Sequence, residues 1–261
     1  MSGMSEGAVH LRIDGPVASV VFDRPAARNA MTWAMYESLE RICRQLAADD
    51  AVRVVRLRGA GGQAFVAGTD IAQFMDFRGG EDGVQYERRI DACVGLLESL
   101  PKPTVALVEG WCIGGGLALA TACDFRIATQ GAQFGVPIAR TLGNCLSASN
   151  LARLVAAMGR PRALRLLLAA ELIAADEAHV AGYLLDVVAP EALDEASDSL
   201  CQRLSRLAPV TQAVSKEALN RLLQRDLPDC EDLIRRAYGS ADFHSGVQAF
   251  VAKTAPVWRG Q

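Results

Sequence analysis

The most constraining feature of the sequence is an almost wholly apolar stretch at residues 105–123, which carries glycine at positions 110, 114, 115 and 116. Its length would suit a membrane-spanning helix, and Gly110 and Gly114 form a G-x-x-x-G pair. Glu109 lies inside the stretch, however, and an acidic residue deep in a span costs about 3 kcal/mol on insertion scales. The stretch therefore favours a buried strand, a glycine turn and a buried helix.

Short β-rich runs alternate with helical patterns through the first half of the chain, which predicts an α/β fold of repeated β-β-α units. Strands are expected at 9–14, 17–23, 52–58 and 104–108, and a helix with Thr32 as N-cap at about 32–48. From Leu146 onward the pattern is helical, with only 186–189 predicted as a strand.

The organisation predicted from this pattern is a core over residues 1–200 and a helical assembly segment over 201–261. Such a segment is too small to form its own core, so we expect it to pack on a neighbouring subunit.

Composition and charge exclude several classes of protein. Hydrophobic residues make up 51% of the chain, and the formal net charge is -3, so no global positive field is available to attract nucleic acid or an anionic membrane. Seven scattered cysteines without a C-x-x-C pair indicate reduced thiols and no metal site. No leader pattern is present at residues 1–6, and the predicted location is cytoplasmic.

Two glycine-containing turns, at residues 59–70 and 110–116, follow predicted buried strands. Glycine lets the backbone approach a ligand closely, and amides at the start of a helix carry partial positive charge. Such amides suit an oxygen that becomes negative during a reaction. The alternative, that both segments are only tight turns, stays open at this point.

The first turn also matches a G-x-G-x-x-A pattern after a strand, which raises the alternative of an NAD-dependent dehydrogenase. A dinucleotide site would continue directly into a long helix, whereas Gly68 interrupts the segment. The acidic candidates Glu81 and Asp82 lie in a glycine loop rather than at the end of a second strand. The context therefore disfavours this alternative.

Four segments together resemble the crotonase (enoyl-CoA hydratase/isomerase) superfamily. Residues 64–71, AFVAGTDI, resemble the loop A-F-x-A-G-x-D-[IL], and residues 108–128 resemble the segment V-x-G-x-x-x-G-G-G followed by x-C-D-x-R-I-A. The opening at 22–31 and the end at 250–258 also match, so the resemblance spans essentially the whole chain. It implies a crotonase-type spiral of β-β-α units, an acyl-CoA thioester as substrate or ligand without a further cofactor, and a homotrimer or dimer of trimers.

Site residues follow from the resemblance position by position. It implies that the backbone amides of Thr69 and Gly115 form an oxyanion hole for the thioester carbonyl. This agrees with the chemistry expected of the two glycine turns.

The same resemblance assigns contacts with coenzyme A. The adenine is expected against the backbone near Ala64 and Ala67. Arg28 and Lys253 match basic positions near the phosphates, with Lys253 acting within the chain or across a subunit boundary. For both cations, an ordinary solvated charge is the alternative.

Two departures from the hydratase pattern concern proton transfer. Where hydratases carry two catalytic glutamates, this sequence has Ala118 and Ile138. The segment before Gly143 is also one residue longer than the usual pattern. Hydration of an enoyl thioester needs a group that activates water and a group that delivers a proton to carbon.

Six residues are candidates to replace the missing glutamates: Asp70, Glu109, Arg140, Asn144, Cys145 and Ser147. Arg140 could hold a substrate carboxylate through two hydrogen bonds, although a structural ion pair is the alternative. Asp70 has the pattern of a helix N-cap. Cys145 has no evident base beside it, and the three histidines match no catalytic position of the family.

The sequence thus predicts an acyl-CoA-processing enzyme of the enoyl-CoA hydratase/isomerase type that stabilises a thioester enolate and hydrates weakly. A catalytically silent acyl-CoA-binding protein is the first alternative, and a dehydrogenase is a remote one.

Overall fold

A computed structural model describes residues 6–260, which contain ten strands in two sheets. The earlier expectation about a leader falls largely on residues 1–5, outside the described residues. The strands are β1 (Ala8–Asp14), β2 (Val17–Asp23), β3 (Val54–Gly59), β4 (Ala64–Val66), β5 (Thr104–Val108), β6 (Trp111–Ile113), β7 (Phe125–Thr129), β8 (Gln133–Gly135), β9 (Leu172–Ala174) and β10 (Asp186–Val188).

The described chain also forms eleven α-helices and three short 3-10 turns. The helices are α1 (Trp33–Ala48), α2 (Gly80–Glu98), α3 (Gly115–Ala122), α4 (Ile138–Thr141), α5 (Ala148–Met158), α6 (Arg160–Leu167), α7 (Ala175–Val180), α8 (Leu193–Ser205), α9 (Pro209–Leu223), α10 (Glu231–Tyr238) and α11 (Ala241–Ala252). The 3-10 turns are Pro25–Ala27, Ile71–Phe74 and Pro190–Ala192.

From β3 to β8, successive strands alternate between the two sheets, which produces the spiral. The larger sheet has the order β1-β2-β3-β5-β7-β10 and the smaller one the order β4-β6-β8-β9. β1 and β9 each pair antiparallel with a neighbour, and the other pairings are parallel. The three units from β3 to β8 each supply one strand to each sheet and then a helix, as the β-β-α pattern predicts. The first unit, β1-β2-α1, has both strands in the larger sheet.

Asn29 connects the opening segment, residues 22–31, to the first glycine turn through hydrogen bonds. Its side chain is completely buried and donates hydrogen bonds to the carbonyls of Ala60 and Ala64, at 2.9 and 2.8 Å. Its Oδ1 accepts from the amide of Arg24 at 3.0 Å. Because the polar groups of this buried amide are paired with backbone, Asn29 fixes where the turn lies relative to β2.

The apolar residues form two packed layers on either side of the larger sheet. The main core lies between the sheets and helices α1, α2, α3 and α5. A smaller cluster joins Val54, Val105 and Ile127 on the other face to Leu193 and Leu200 of α8. Both faces of these parallel strands are therefore covered, which explains their nearly continuous apolar sequence.

The C-terminal helices α10 and α11 pack on the core of their own chain. Tyr238 of α10 and Phe243 of α11 are fully buried in the main core. Gly83 of α2 permits this contact, because a Cβ at that position would lie 2.2 Å from the ring of Tyr238. By contrast, α9 buries none of its residues.

The predicted strands at 17–23 and 104–108 and the helix capped by Thr32 are confirmed, with the Thr32 side chain accepting from the amide of Met35. The expectation of a single strand after Leu146 is wrong, because β9 adds a second one. β9 has only three residues and pairs with the edge of β8, so it is too short to show an alternating pattern.

Candidate active site

A cavity of about 600 Å³ lies where the two glycine turns meet. Gly68, Thr69, Gly114 and Gly115 form part of its wall. Its size is that of a pocket for a small organic ligand.

Positive backbone angles let the two turns approach each other. Gly68 has φ +106° and Gly114 has φ +54°, in the region that residues with a side chain rarely adopt. A Cβ on Gly114 would lie 3.8 Å from the Cα of Gly68. The turns, which are far apart in sequence, are therefore in direct contact.

The backbone amides of Thr69 and Gly115 belong to the two glycine turns. Within residues 6–260, neither donates a backbone hydrogen bond. Thr69 pairs with Met31 in a parallel bridge that uses the carbonyl of Gly68 and the amide of Asp70, so the Thr69 amide points away from Met31. Gly115 begins α3, where the first amides have no partner inside the helix.

Two buried tyrosines hold Thr69 in place. Its hydroxyl forms hydrogen bonds of 2.8 Å with both the Tyr36 and the Tyr86 hydroxyl. Burial raises the pKa of both tyrosines above their ordinary range, so they remain neutral. The position of the Thr69 amide thus depends on two side chains that the sequence analysis did not select.

Ala118 of α3 and Ile138 of α4 both line the cavity, so its wall is apolar at the two positions that depart from the hydratase pattern. The longer segment after Ile138 forms the single turn of α4. It closes with a 2.8 Å hydrogen bond from the Gly143 amide to the Ile138 carbonyl, with Gly143 at φ +76°.

The four residues predicted to contact coenzyme A are only partly brought together. Arg28 and Lys253 are exposed at the cavity edge, and Ala67 lines it. Lys253 lies at the cavity of its own chain. Arg28 also stacks over Trp111, with 5.8 Å between the guanidinium carbon and the ring centre. Ala64 is buried in β4 and is not part of the wall.

The charged candidates for replacing the glutamates occupy structural or remote positions. Asp70 lines the cavity but caps the turn Ile71–Phe74 and forms a 2.8 Å ion pair with Arg24, so the predicted N-cap is confirmed. Glu109 pairs with Arg58 at 2.7 Å outside the cavity. Arg140 is exposed and does not line the cavity, and it forms no ion pair with the described residues.

The remaining candidates lie together after α4. Asn144 lines the cavity, and its Nδ2 donates to the Tyr238 hydroxyl at 3.1 Å. Ser147 caps α5. Burial raises the pKa of Cys145 to about 12, which keeps the thiol protonated near neutral pH.

The structure adds a carboxyl that the sequence analysis missed. Glu87 of α2 lines the cavity and is 2% exposed. Its Oε1 accepts from the Tyr238 hydroxyl at 2.6 Å and its Oε2 from the Ser147 amide at 3.1 Å. Burial raises the pKa of Glu87 to about 8; the bond from Tyr238 opposes this rise, the charge of Asp91 adds to it, and the bond from Ser147 again opposes it.

One sequence signal could have identified Glu87. It lies on the buried face of α2 at helical spacing from Val84, Ile90 and Val94. A carboxyl within such an apolar stripe needs a partner or a function. The partner, Tyr238, is 151 residues away, so only the folded chain identifies it.

The spiral of β-β-α units and the contact between the two glycine turns define an α/β protein of the crotonase fold. A sequence model described as "Enoyl-CoA hydratase/isomerase" matches residues 12–261. The chain therefore belongs to the enoyl-CoA hydratase/isomerase family, whose members process acyl-CoA thioesters.

Individual relatives cover nearly the whole chain. A short-chain-enoyl-CoA hydratase of Clostridium acetobutylicum is 32% identical, over 94% of this chain and 95% of its own. The solved structure of an enoyl-CoA hydratase/carnitine racemase from Magnetospirillum magneticum is 31% identical, with a TM-score of 0.79 and coverage of 97% and 96%. A methylmalonyl-CoA decarboxylase in complex with 2-nitronate-propionyl-CoA is 26% identical, with a TM-score of 0.89 and coverage of 97% and 98%.

The structure also bears on the alternatives of a dinucleotide site and of a membrane-spanning helix. The segment 59–70 contains β4 and is followed by a 3-10 turn rather than by a long helix, so it lacks the context that a dinucleotide site needs. Among residues 6–260, no helix is long and apolar enough to cross a membrane.

Because the pKa of Glu87 is raised on folding, we expect the free energy of unfolding of the natural protein to depend on pH. The variant Glu87→Gln should lose this part of the pH dependence. Between about pH 5 and pH 8 the folded protein keeps a proton that the unfolded chain has released, because the pKa rises from 4.5 to about 8 on folding. The retained proton contributes its full stabilisation at low pH, and this part of the free energy of unfolding is lost as pH rises through 8. The free energy of unfolding falls by up to about 1.4 kcal/mol per pH unit. Urea unfolding from pH 5 to pH 9 should show this slope in the natural protein relative to the variant.

The control is Glu81→Gln, which changes an exposed carboxyl on the same helix. If the free energy of unfolding changed with pH in the same way in the natural protein and in Glu87→Gln, burial would not be raising the pKa of this carboxyl.

Proposed function

We propose that the protein binds an acyl-CoA thioester in the cavity and stabilises its enolate through the amides of Thr69 and Gly115. The observation that supports this most is that both amides are unused within residues 6–260 and line one cavity, on turns in direct contact. Donors fixed in this way need no rearrangement when negative charge develops on the thioester oxygen, and each contributes about 3 kcal/mol.

Charge and exposure support a position for the coenzyme A portion. Arg28 and Lys253 are the exposed cations of the cavity wall and would meet the phosphates, with Ala67 beside the nucleotide. Ala118, Ile138 and Leu146 supply the apolar wall for the acyl chain. The role of Arg140 in holding a substrate carboxylate stays a prediction, and its exposed position gives that role no support.

Both glutamates of the hydratase pattern are replaced in this proposal, by Ala118 and Ile138. The alternative is a protein that binds acyl-CoA without turnover, and the same two side chains favour it. The two hypotheses differ in whether the bound thioester becomes an enolate.

Acetoacetyl-CoA tests the paired amides directly, because its acidic α-carbon forms an enolate without help from a protein base. We expect binding to increase the enolate absorbance at constant pH. Gly115→Pro removes one amide hydrogen and should lower the enolate equilibrium constant of the bound ligand about a hundredfold. Absorbance titration measures this directly.

Gly115→Ala is the matched control. It adds a Cβ that would lie 2.7 Å from the Tyr36 hydroxyl, as proline also does, but it keeps the amide. An equal loss of enolate in both variants would assign the effect to the contact with Tyr36 and contradict the role of the amide.

Hydration of crotonyl-CoA should be slower than in a hydratase by several orders of magnitude. Each general acid or base contributes about a hundred- to ten-thousand-fold, and Ala118 and Ile138 can transfer no proton. The loss of conjugated-thioester absorbance measures hydration. The double variant Ala118→Glu, Ile138→Glu should gain activity, and rapid hydration by the natural protein would contradict the prediction.

We also propose a homotrimer or dimer of trimers and, from the seven free cysteines, a cytoplasmic location. Helix α9 supports the assembly, because Val210, Val214, Leu219 and Leu222 are each more than half exposed along it. Light scattering should give three or six times the chain mass, and Val214→Glu should lower it. A stable monomer at micromolar concentration would refute the assembly.

A further inference from the structure

Among residues 6–260, two carboxyl groups lie in the cavity wall, those of Asp70 and Glu87. The Asp70 carboxylate already accepts a hydrogen bond from the Ala72 amide and pairs with Arg24. Proton uptake would remove the negative charge that faces the guanidinium of Arg24, whose side chain is 6% exposed. Glu87 forms no ion pair with the described residues, so it can gain or lose a proton without this cost.

The hydrogen bonds of Glu87 fix its carboxyl and leave part of it free. A carboxylate has about four acceptor positions, and Tyr238 and Ser147 occupy one on each oxygen. Each oxygen therefore keeps one position for a proton. Because Glu87 itself lines the cavity, a substrate carbon can approach it there.

A second polar side chain of the wall orients this carboxyl. Asn144 donates through Nδ2 to the Tyr238 hydroxyl, which donates to Glu87. Asn144 Oδ1 is buried and accepts no hydrogen bond from any residue between 6 and 260. Both end residues of this hydrogen-bonded row, Asn144 and Glu87, line the cavity, and the unpaired Oδ1 contrasts with a purely structural row, whose polar groups would be paired internally.

The hydrogen bonds of Glu87 do not supply a counter-charge for an ionised carboxyl. Tyr238 and Ser147 offer one donor to each carboxyl oxygen and no positive charge. Burial without a cation favours the neutral acid, and it raises the pKa of Glu87 to about 8. The carboxyl at this position can therefore exist in both protonation states near neutral pH.

We propose, on the basis of the enolate-stabilising function above, that Glu87 takes up and returns a proton on the acyl chain beside the thioester. The carboxylate removes a proton from the α-carbon, and the C–H electron pair forms the enolate double bond while negative charge moves to the oxygen at Thr69 and Gly115. The neutral acid then returns the proton to the α-carbon or, in a β,γ-unsaturated chain, to the γ-carbon. The balance needs no water, oxidant or second base.

The substrate class that follows is an acyl-CoA whose α-hydrogen is acidified by a neighbouring unsaturated group. A single carboxyl is sufficient to move a double bond, because the same group removes and returns the proton. Hydration needs a second group, which Ala118 and Ile138 do not supply.

The test uses 3-butenoyl-CoA in deuterated buffer. The natural protein should place deuterium on the acyl chain and form the conjugated 2-enoyl thioester, as measured by mass spectrometry and absorbance. Glu87→Gln should lower both rates at least about a hundredfold. Glu81→Gln, which removes an exposed carboxyl that also links α2 to α10 through Arg235, should leave both rates unchanged.

The pH profile separates a proton-transfer role from a structural one. The rate should rise through about pH 8 as the carboxyl ionises. Tyr238→Phe removes a hydrogen bond that favours the ionised form, so the midpoint should move to higher pH. Glu87→Asp should keep a pH-dependent rate at a lower level, and it serves as the test if the glutamine variant does not fold.

Acetoacetyl-CoA distinguishes failure of this inference from failure of the proposed function. Glu87→Gln should bind it and form its enolate as the natural protein does, because the amides hold the charge. Deuterium exchange at the natural rate in Glu87→Gln would overturn the role of Glu87, as would a natural protein that stabilises the enolate but exchanges no proton. Absence of acyl-CoA binding would instead overturn the proposed function.

Discussion

The contact between the two glycine turns is the constraint on which the site depends. Gly68 and Gly114 both have positive φ, and the position for a Cβ on Gly114 lies 3.8 Å from the Cα of Gly68. Gly116 packs still more tightly, because a Cβ there would lie 2.0 Å from the carbonyl of Val66. Only a backbone without side chains at these points can bring two amides from different turns of the spiral to one cavity.

Helix α2 couples this amide site to the C-terminal part of the chain. Tyr86 holds Thr69, and the adjacent Glu87 accepts from Tyr238 of α10. Gly83, one turn earlier, gives the ring of Tyr238 the space to pack. A change in the packing of α10 would therefore alter the contacts of both Thr69 and Glu87 in the cavity wall, although α10 supplies no residue to that wall.

Some parts of the site were predictable because they are local in sequence. The strand, turn and helix around Gly115 and the cap formed by Asp70 each depend on a few consecutive residues. The family resemblance predicted that Ala64 contacts the ligand, but Ala64 is buried in β4 and does not line the cavity. The sequence motif predicted that Arg140 lies near the acyl pocket, but in the structure it is exposed to solvent on the one-turn helix α4.

The sequence by itself determined the α/β class, the repeated β-β-α order, the two amide turns and the absence of carboxyls at positions 118 and 138. These properties follow from hydrophobic periodicity and from glycine at fixed spacing, which act over short distances along the chain. Only the tertiary structure decided that Glu87 shares the cavity with Thr69 and Gly115, and that Tyr238 holds it. The physical reason is that the environment of a buried carboxyl is set by residues distant in sequence, whose approach depends on the packing of the whole chain.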